Sequence, residues 1–335
     1  MLHTSPLVSV IVPAYNVRRF IRRSLASLLA QTYPHLEVIV VDDGSTDGTA
    51  DAVRELADPR IVYVRQDNLG IGAARNSGIR ASRGEYVTLL DADDVYLPEK
   101  VRKQVTFLEQ HPEYAAVYCN AINYFSRNPR RLYRNRVPHP SGEIFRELLS
   151  SSFINPNTIM IRRSVLLAGF MFPEGGRGRY AEDYDLFLRM ARAGHLFGYI
   201  DEDLVVVEVR PGSNTTWEVE PIIKRNVLLV VEEMLGTLSD AERVSLGSRG
   251  ILRRLRLKLA VACVAAGDRE AFNDALANGV SGFTAAVVRI GVRMVPMRAL
   301  RVVARVAWRL RQRRRSIAPR LDTLTTSLLG RMLLR

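Results

Sequence analysis

Short apolar runs alternating with helical periodicities organise the first two thirds of the chain. Leu7–Val12, Leu36–Val41, Ile61–Val64 and Tyr86–Leu90 are β-branched and aliphatic runs of strand length, and each predicts a buried strand. Between the first two, Phe20, Ile21, Leu25, Leu28 and Leu29 recur at helical spacing within Val17–Gln31. A helix capped by Thr46 or Asp47 and running to about Leu56, and another over Gly72–Ala81, continue the alternation. Strands alternating with helices predict right-handed βαβ units, hence an α/β, Rossmann-like, mixed but mostly parallel sheet flanked by helices. Further on, the pattern predicts a helix over Glu99–Glu109 and strands over Ala115–Cys119 and up to Arg162. A helix over Tyr184–Ala193, opened by Glu182 and Asp183, and a strand over Leu204–Val209 follow. Residues 126–142, rich in Arg, Asn and Pro, read as a surface loop, and glycines loosen 175–178.

After Glu220 the pattern becomes helical throughout: 222–235, 240–266, 269–278 and a long stretch at about 283–315, in which Pro296 should force a kink. The 335 residues therefore divide into an α/β unit over 1–222 and a helical unit over 223–335. Charge divides the same way. Residues 1–223 hold 26 Lys and Arg against 27 Asp and Glu, whereas 224–335 hold 22 against 8. A neutral body with a basic tail speaks of location or partners rather than fold. Cys119 and Cys263, far apart in sequence, argue against a disulfide framework and for a reducing compartment. The opening residues lack a secretory pattern, and no apolar run reaches the roughly 18 residues of a membrane span. A cytoplasmic location is expected.

Candidate chemistry sits where strands stop. The run Glu85–Leu90 ends at Asp91, Asp93 and Asp94, three carboxylates within four positions. Like charges this close raise one another's pKa, so something positive should lie among them. A divalent cation with hard oxygen ligands, Mg²⁺ or Mn²⁺, is the simplest candidate, and such ions usually arrive with substrate phosphates. An Asp-rich turn capping the next helix remains the plainer alternative. Asp42 and Asp43 form a second acidic group after the second strand, and in parallel sheets ligands bind at these carboxyl ends. Gly70-Ile71-Gly72-Ala73-Ala74-Arg75 falls short of a dinucleotide fingerprint and follows the third strand, not the first. It still suits an anionic diphosphate at a helix start, or is an ordinary loop with a surface arginine. Walker, nucleophile-elbow and zinc patterns are absent.

Several segments occur together in an order that resembles the family 2 glycosyltransferases. They are Val8–Asn16, Gln31–Pro34, Val40–Asp47, Asn68–Gly70 with Ala74–Gly78, Leu90–Asp94 and Glu182–Leu186, covering about residues 7–215 and not the basic tail. The resemblance implies the GT-A fold and inverting transfer from a nucleoside-diphosphate sugar, UDP-type favoured, to a sugar or lipid-linked sugar acceptor in cell-surface polysaccharide or glycolipid synthesis. It implies that Pro13, Ala14, Tyr15, Asp42 and Asp43 hold base and ribose. Arg75 would lie beside the nucleotide, with Asp91 and Ala92 at the ribose or metal. Asp93, with Asp91, would ligate Mg²⁺ or Mn²⁺, and Asp183, supported by Glu182, would be the catalytic base. One departure stands out. Where many relatives carry an aromatic-Arg-x-His segment, this chain has Val207-Glu208-Val209-Arg210, so Arg210 is expected at the diphosphate and a histidine ligand is missing.

Three readings of the tail stay open: an amphipathic anchor on anionic membrane, a nucleic-acid patch, or a helical subdomain packed on the body with a solvated basic face. Only Phe283 and Trp308 interleave the terminal arginines, so nucleic acid is not expected as a partner. Rival functions are a sugar nucleotidyltransferase, which would need a Gly-rich loop with a lysine after the first strand, and a nucleotide-sugar-binding protein without turnover.

Overall fold

The computed structural model describes residues 5–125, 132–134, 139–175, 180–210 and 219–277. Its strands are β1 (Val8–Ala14), β2 (Leu36–Asp43), β3 (Ile61–Gln66), β4 (Tyr86–Leu89), β5 (Val95–Tyr96), β6 (Tyr114–Phe125), β7 (Leu132–Arg134), β8 (Ile159–Arg162) and β9 (Leu196–Val209). In space they run β3-β2-β1-β4-β8-β6-β9-β5, with β7 added to β6. β1 is parallel to β2 and β4, and β2 to β3, whereas β8 is antiparallel to both of its neighbours and β5 to β9. The sheet is thus mixed, and its longest pairings, β6 with β9 and β1 with β2, are parallel, as the alternation predicts.

Helices α1 (Arg18–Leu29), α2 (Thr49–Arg54) and α4 (Lys100–Gln110) join one apolar layer, while α3 (Ile71–Ala81), α5 (Phe145–Ser150), α6 (Arg163–Leu167) and α7 (Glu182–Arg192) join the other. The strands show why. Val8, Val10 and Val12 of β1 pack with Ile21, Leu25 and Leu28, whereas Ile11 packs with Ala74, Ile79 and Leu186. Both faces are covered, so these strands read as unbroken apolar runs. Each such fully buried side chain contributes about 1.5–3 kcal/mol. α3 lies so close to the sheet that a Cβ on Gly78 would stand 2.4 Å from Ile11 Cγ2.

Pro13 lies inside β1 rather than beyond it, paired with Val41. Pairing with β4 has already ended at Ile11 and Leu89, so the proline stands past the last rung on that side. β9 starts at Leu196 rather than Leu204. The helix predicted over 240–266 is two: α9 (Asp240–Leu246) and α10 (Ser248–Ala266) meet at Gly247, whose φ of 67° is left-handed. Ser239 and Glu242 form a capping box that starts α9. With α8 (Glu220–Gly236) and α11 (Arg269–Ala277), α10 shares the apolar layer of α5 and α7, through Val231, Leu255, Leu259 and Phe272. Lys258 Nζ donates to the Ser150 carbonyl at 3.2 Å, and Arg192 pairs with Glu242 at 2.7 Å. Residues 219–277 are therefore packed on the α/β body. The helix predicted at 283–315 and much of the 126–142 loop lie outside the described residues. No described helix is long and apolar enough to cross a membrane.

Candidate functional site

β1, β2 and β4 end along one edge of the sheet, and the chain leaves each in a polar turn. Ala14 is paired with Asp42 in register, both buried, while Tyr15 just beyond is half exposed. Asp42 accepts the Ser45 N–H at 2.7 Å and the Tyr63 hydroxyl. Asp43 accepts from Gln66 Nε2 at 2.7 Å and from the N–H groups of Leu69 and Gly70, each at 2.9 Å. Asp43 thereby ties the loop after β3 to β2 and sets where α3 begins.

The second acidic turn is met by cations. Arg75 Nη2 donates to Asp91 Oδ1 at 3.0 Å, and its guanidinium stacks on the Phe172 ring, 5.3 Å from the centroid. Asn76 holds Phe172 in place, donating to its carbonyl and accepting its N–H, both at 2.9 Å. Arg210 Nη2 donates to Asp93 Oδ2 at 2.8 Å while lying over the Phe20 ring. Arg23, from α1, donates to the Asp93 carbonyl at 2.8 Å and pairs with the buried Glu208. Asp94 is buried among neutral partners: it accepts the Glu208 N–H at 2.8 Å and the Asn157 side-chain amide. Asn157 Oδ1 also accepts the Asp91 N–H at 2.8 Å, so this one residue clamps the turn. The positive charge expected among the acids is thus present as guanidinium groups. Among the described residues, the buried Nε atoms of Arg23, Arg75 and Arg210 have no acceptor.

Burial, then the charge of Asp91, raises the Asp93 pKa; burial, then Asp93 and Asp91, raises that of Asp94 well above the usual range. Asp183 opens α7, flanked by the buried Glu182, which sits near Gly72 in the first turn of α3. Burial pushes the Asp183 pKa up to about 6, while the Arg75 charge pulls it down and the Asp91 charge adds to the rise. Asp91 is therefore the electrostatic neighbour shared by Asp93 and Asp183.

Arg75, Asp91, the buried Ala92, Asp93, Glu182, Asp183 and Arg210 gather around this turn, whereas Asp42 and Asp43 bond to their own loops beside Pro13 and Ala14. Sequence reading passed over Asn157, Arg23 and Glu208. The Asn155-Pro156-Asn157 run, here a 3₁₀ turn capped by Asn155, is the available signal for the first, and Glu208 lies within the Val207–Arg210 segment; nothing along the chain marks Arg23. Asp91 and Asp93 offer the hard carboxylate oxygens that an ion of the Mg²⁺ or Mn²⁺ kind takes, and each is paired with one guanidinium with which such an ion would compete. Among the described residues no three His, Cys, Asp or Glu side chains surround a common metal position. Remaining ligands would have to come from water or a substrate's phosphates, the usual Mg²⁺ arrangement.

Residues 9–170 match the family model described as Glycosyl transferase family 2. An uncharacterized glycosyltransferase of Rickettsia prowazekii is 32% identical over 217 residues, 63% of this chain and 66% of that protein. The chondroitin synthase of Escherichia coli is 34% identical over 237 residues, 70% of this chain and 33% of that protein. The chain spans 66%, 63% and 34% of the length of the first three curated relatives it matches. A mannosyltransferase from Pyrobaculum calidifontis, solved with GDP-Man and Mn²⁺, superposes with a TM-score of 0.60 at 21% identity, over 90% of this chain and 85% of that one. S. aureus TarS 1-349, solved with UDP-GlcNAc, gives 0.53 at 20% identity, over 80% and 89%. These likenesses establish the architecture, a GT-A type α/β fold.

Proposed function

The chain belongs to glycosyl transferase family 2, and from that membership and the geometry of its acidic turn we propose that it moves a sugar from a nucleoside-diphosphate sugar to a hydroxyl acceptor with inversion. The observation that carries the reading is Asp183: a carboxylate with a pKa near 6, one charge away from the arginine-held Asp91. Such a group is ionised at neutral pH yet basic enough to accept a proton from an attacking hydroxyl. Departure of a nucleoside diphosphate leaves growing negative charge, which needs preorganised cations. Arg75 and Arg210, whose Nε atoms lack acceptors, are suited to the diphosphate oxygens. Asp91 and Asp93 would hold Mg²⁺ or Mn²⁺, whose contribution is to neutralise the leaving group. Solved structures of the same fold carry UDP-GlcNAc or GDP-Man, which supports a nucleotide-sugar donor.

Pro13, Ala14, Tyr15, Asp42 and Asp43 then form the base and ribose side, with Asp42 and Asp43 acting through the loops they brace. A unit boundary near 222 and an acceptor carried at the cytoplasmic face of an anionic membrane complete the proposal; the basic tail motivates the latter. Thermal shift across a panel of nucleotide sugars, with Mn²⁺ and again with chelator, tests donor binding. Asp183→Asn is expected to bind donor and fail to transfer, and full transfer by that variant would remove the base. A nucleotidyltransferase would instead release pyrophosphate from a nucleoside triphosphate and sugar phosphate.

A further inference from the structure

We propose that Arg210 is the counter-ion a divalent metal must displace from Asp93, so that metal and donor diphosphate enter this site as a coupled pair. The inference rests on the nucleoside-diphosphate reading above and concerns how that site fills. Two ion pairs, Arg75 with Asp91 at 3.0 Å and Arg210 with Asp93 at 2.8 Å, leave these four side chains with no net charge. A divalent cation alone makes the group doubly positive, and a nucleotide-sugar diphosphate alone makes it doubly negative. Both together restore neutrality in a half-buried setting where unbalanced charge is costly.

Arg210 is the member able to exchange. It follows directly on β9, close to Glu208, whose N–H bonds to Asp94 and whose carboxylate is held by Arg23. Its side chain is 29% exposed, against 4% for Arg75, so it has room to turn. Its guanidinium rests on Phe20 at 4.4 Å, a face that can carry the cation before and after the exchange. Its buried Nε has no acceptor, which a phosphate oxygen would supply. A metal arriving without diphosphate must push Arg210 off Asp93 and offer it nothing; one arriving with diphosphate gives it a new partner. By linkage each ligand then tightens the other.

The test titrates Mn²⁺ into the full chain, reading free Mn²⁺ by electron paramagnetic resonance, with and without UDP or GDP. In the wild type the nucleotide should tighten Mn²⁺ about tenfold. Arg210→Ala should bind Mn²⁺ alone more tightly than wild type, by about threefold or more, bind nucleotide more weakly, and lose the coupling. Arg210→Lys should restore part of the coupling. Opposite signs for the two ligands separate this from structural damage, which weakens both. Arg210→Ala with unchanged or weaker Mn²⁺ binding, or a wild type whose Mn²⁺ affinity ignores nucleotide, overturns the exchange and leaves the nucleotide site standing. A wild type that binds no nucleotide in either condition overturns both.

Discussion

Asp42–Asp43 and Asp91–Asp94 stand at the ends of β2 and β4, separated by β1 alone, yet different chemistry meets their charge. Around the first pair the close partners are neutral: N–H groups of Ser45, Leu69 and Gly70, the Tyr63 hydroxyl and the Gln66 amide, with Arg65 no nearer than 4.0 Å to Asp42. Around Asp91 and Asp93 the partners are arginines at 3.0 and 2.8 Å. Backbone donors are fixed by the chain, so a carboxylate that uses them becomes architecture. A guanidinium at the end of a long side chain can be exchanged for another ion. The same residue type in the same topological place therefore braces a loop in one turn and holds an exchangeable charge in the next.

Substitutions can break this contrast. Asp93→Ala should have the largest effect: the Mn²⁺-dependent part of nucleotide affinity, about tenfold or more, should vanish while the melting temperature moves little. Nucleotide affinity in Mn²⁺ equal to wild type would undo the assignment. Asp43→Ala should do the reverse. Loss of its three hydrogen bonds, two of them to backbone N–H groups, should cost about 2–4 kcal/mol in denaturant unfolding with Mn²⁺ binding retained. Gly78→Ala sharpens the comparison from outside the site, since its Cβ would collide with Ile11 beneath both turns. It should destabilise by about 1–3 kcal/mol in the same measurement.

Asp183→Asn should give a modest stability change of the opposite sign to Asp43→Ala and Gly78→Ala, a gain. The folded pKa of Asp183, about 6, is raised above its ordinary 3.8. Its ionisation therefore opposes folding, the cost growing as pH rises from the lower value to the higher and staying constant above. An uncharged isostere should raise the melting temperature by a few degrees at neutral pH, about 1–2 kcal/mol, and the gain should fade toward pH 4. A lower melting temperature at neutral pH would argue against a buried, destabilising carboxylate.

Much of this was legible along the chain. The parallel strands, their helices and the two acidic turns follow from apolar runs of strand length that end in aspartates, because local sequence determines both burial pattern and turn. The counter-ions were not legible in the same way. Arg75 lies 16 residues before Asp91, but Arg210 lies 117 residues after Asp93 and Arg23 lies 70 before it, so only tertiary packing brings them there. Three acids within four positions show charge without its partners in a linear reading, and the guanidinium groups that meet two of them come from elsewhere in the chain. β9 begins early because Asp201, Glu202 and Asp203 interrupt its apolar run without ending it. Gly247 splits a continuous helical periodicity, since left-handed backbone leaves no trace in apolar spacing.

The most direct test of a base at position 183 is the pH dependence of sugar transfer at saturating donor and Mn²⁺. Wild type should lose activity on the acid side with an apparent pKa near 6, as protonation removes the group that accepts the hydroxyl proton. Asp183→Asn should bind the donor, transfer about a thousandfold more slowly and show no such limb. A variant that keeps the wild-type rate, or the same acid limb, would contradict it.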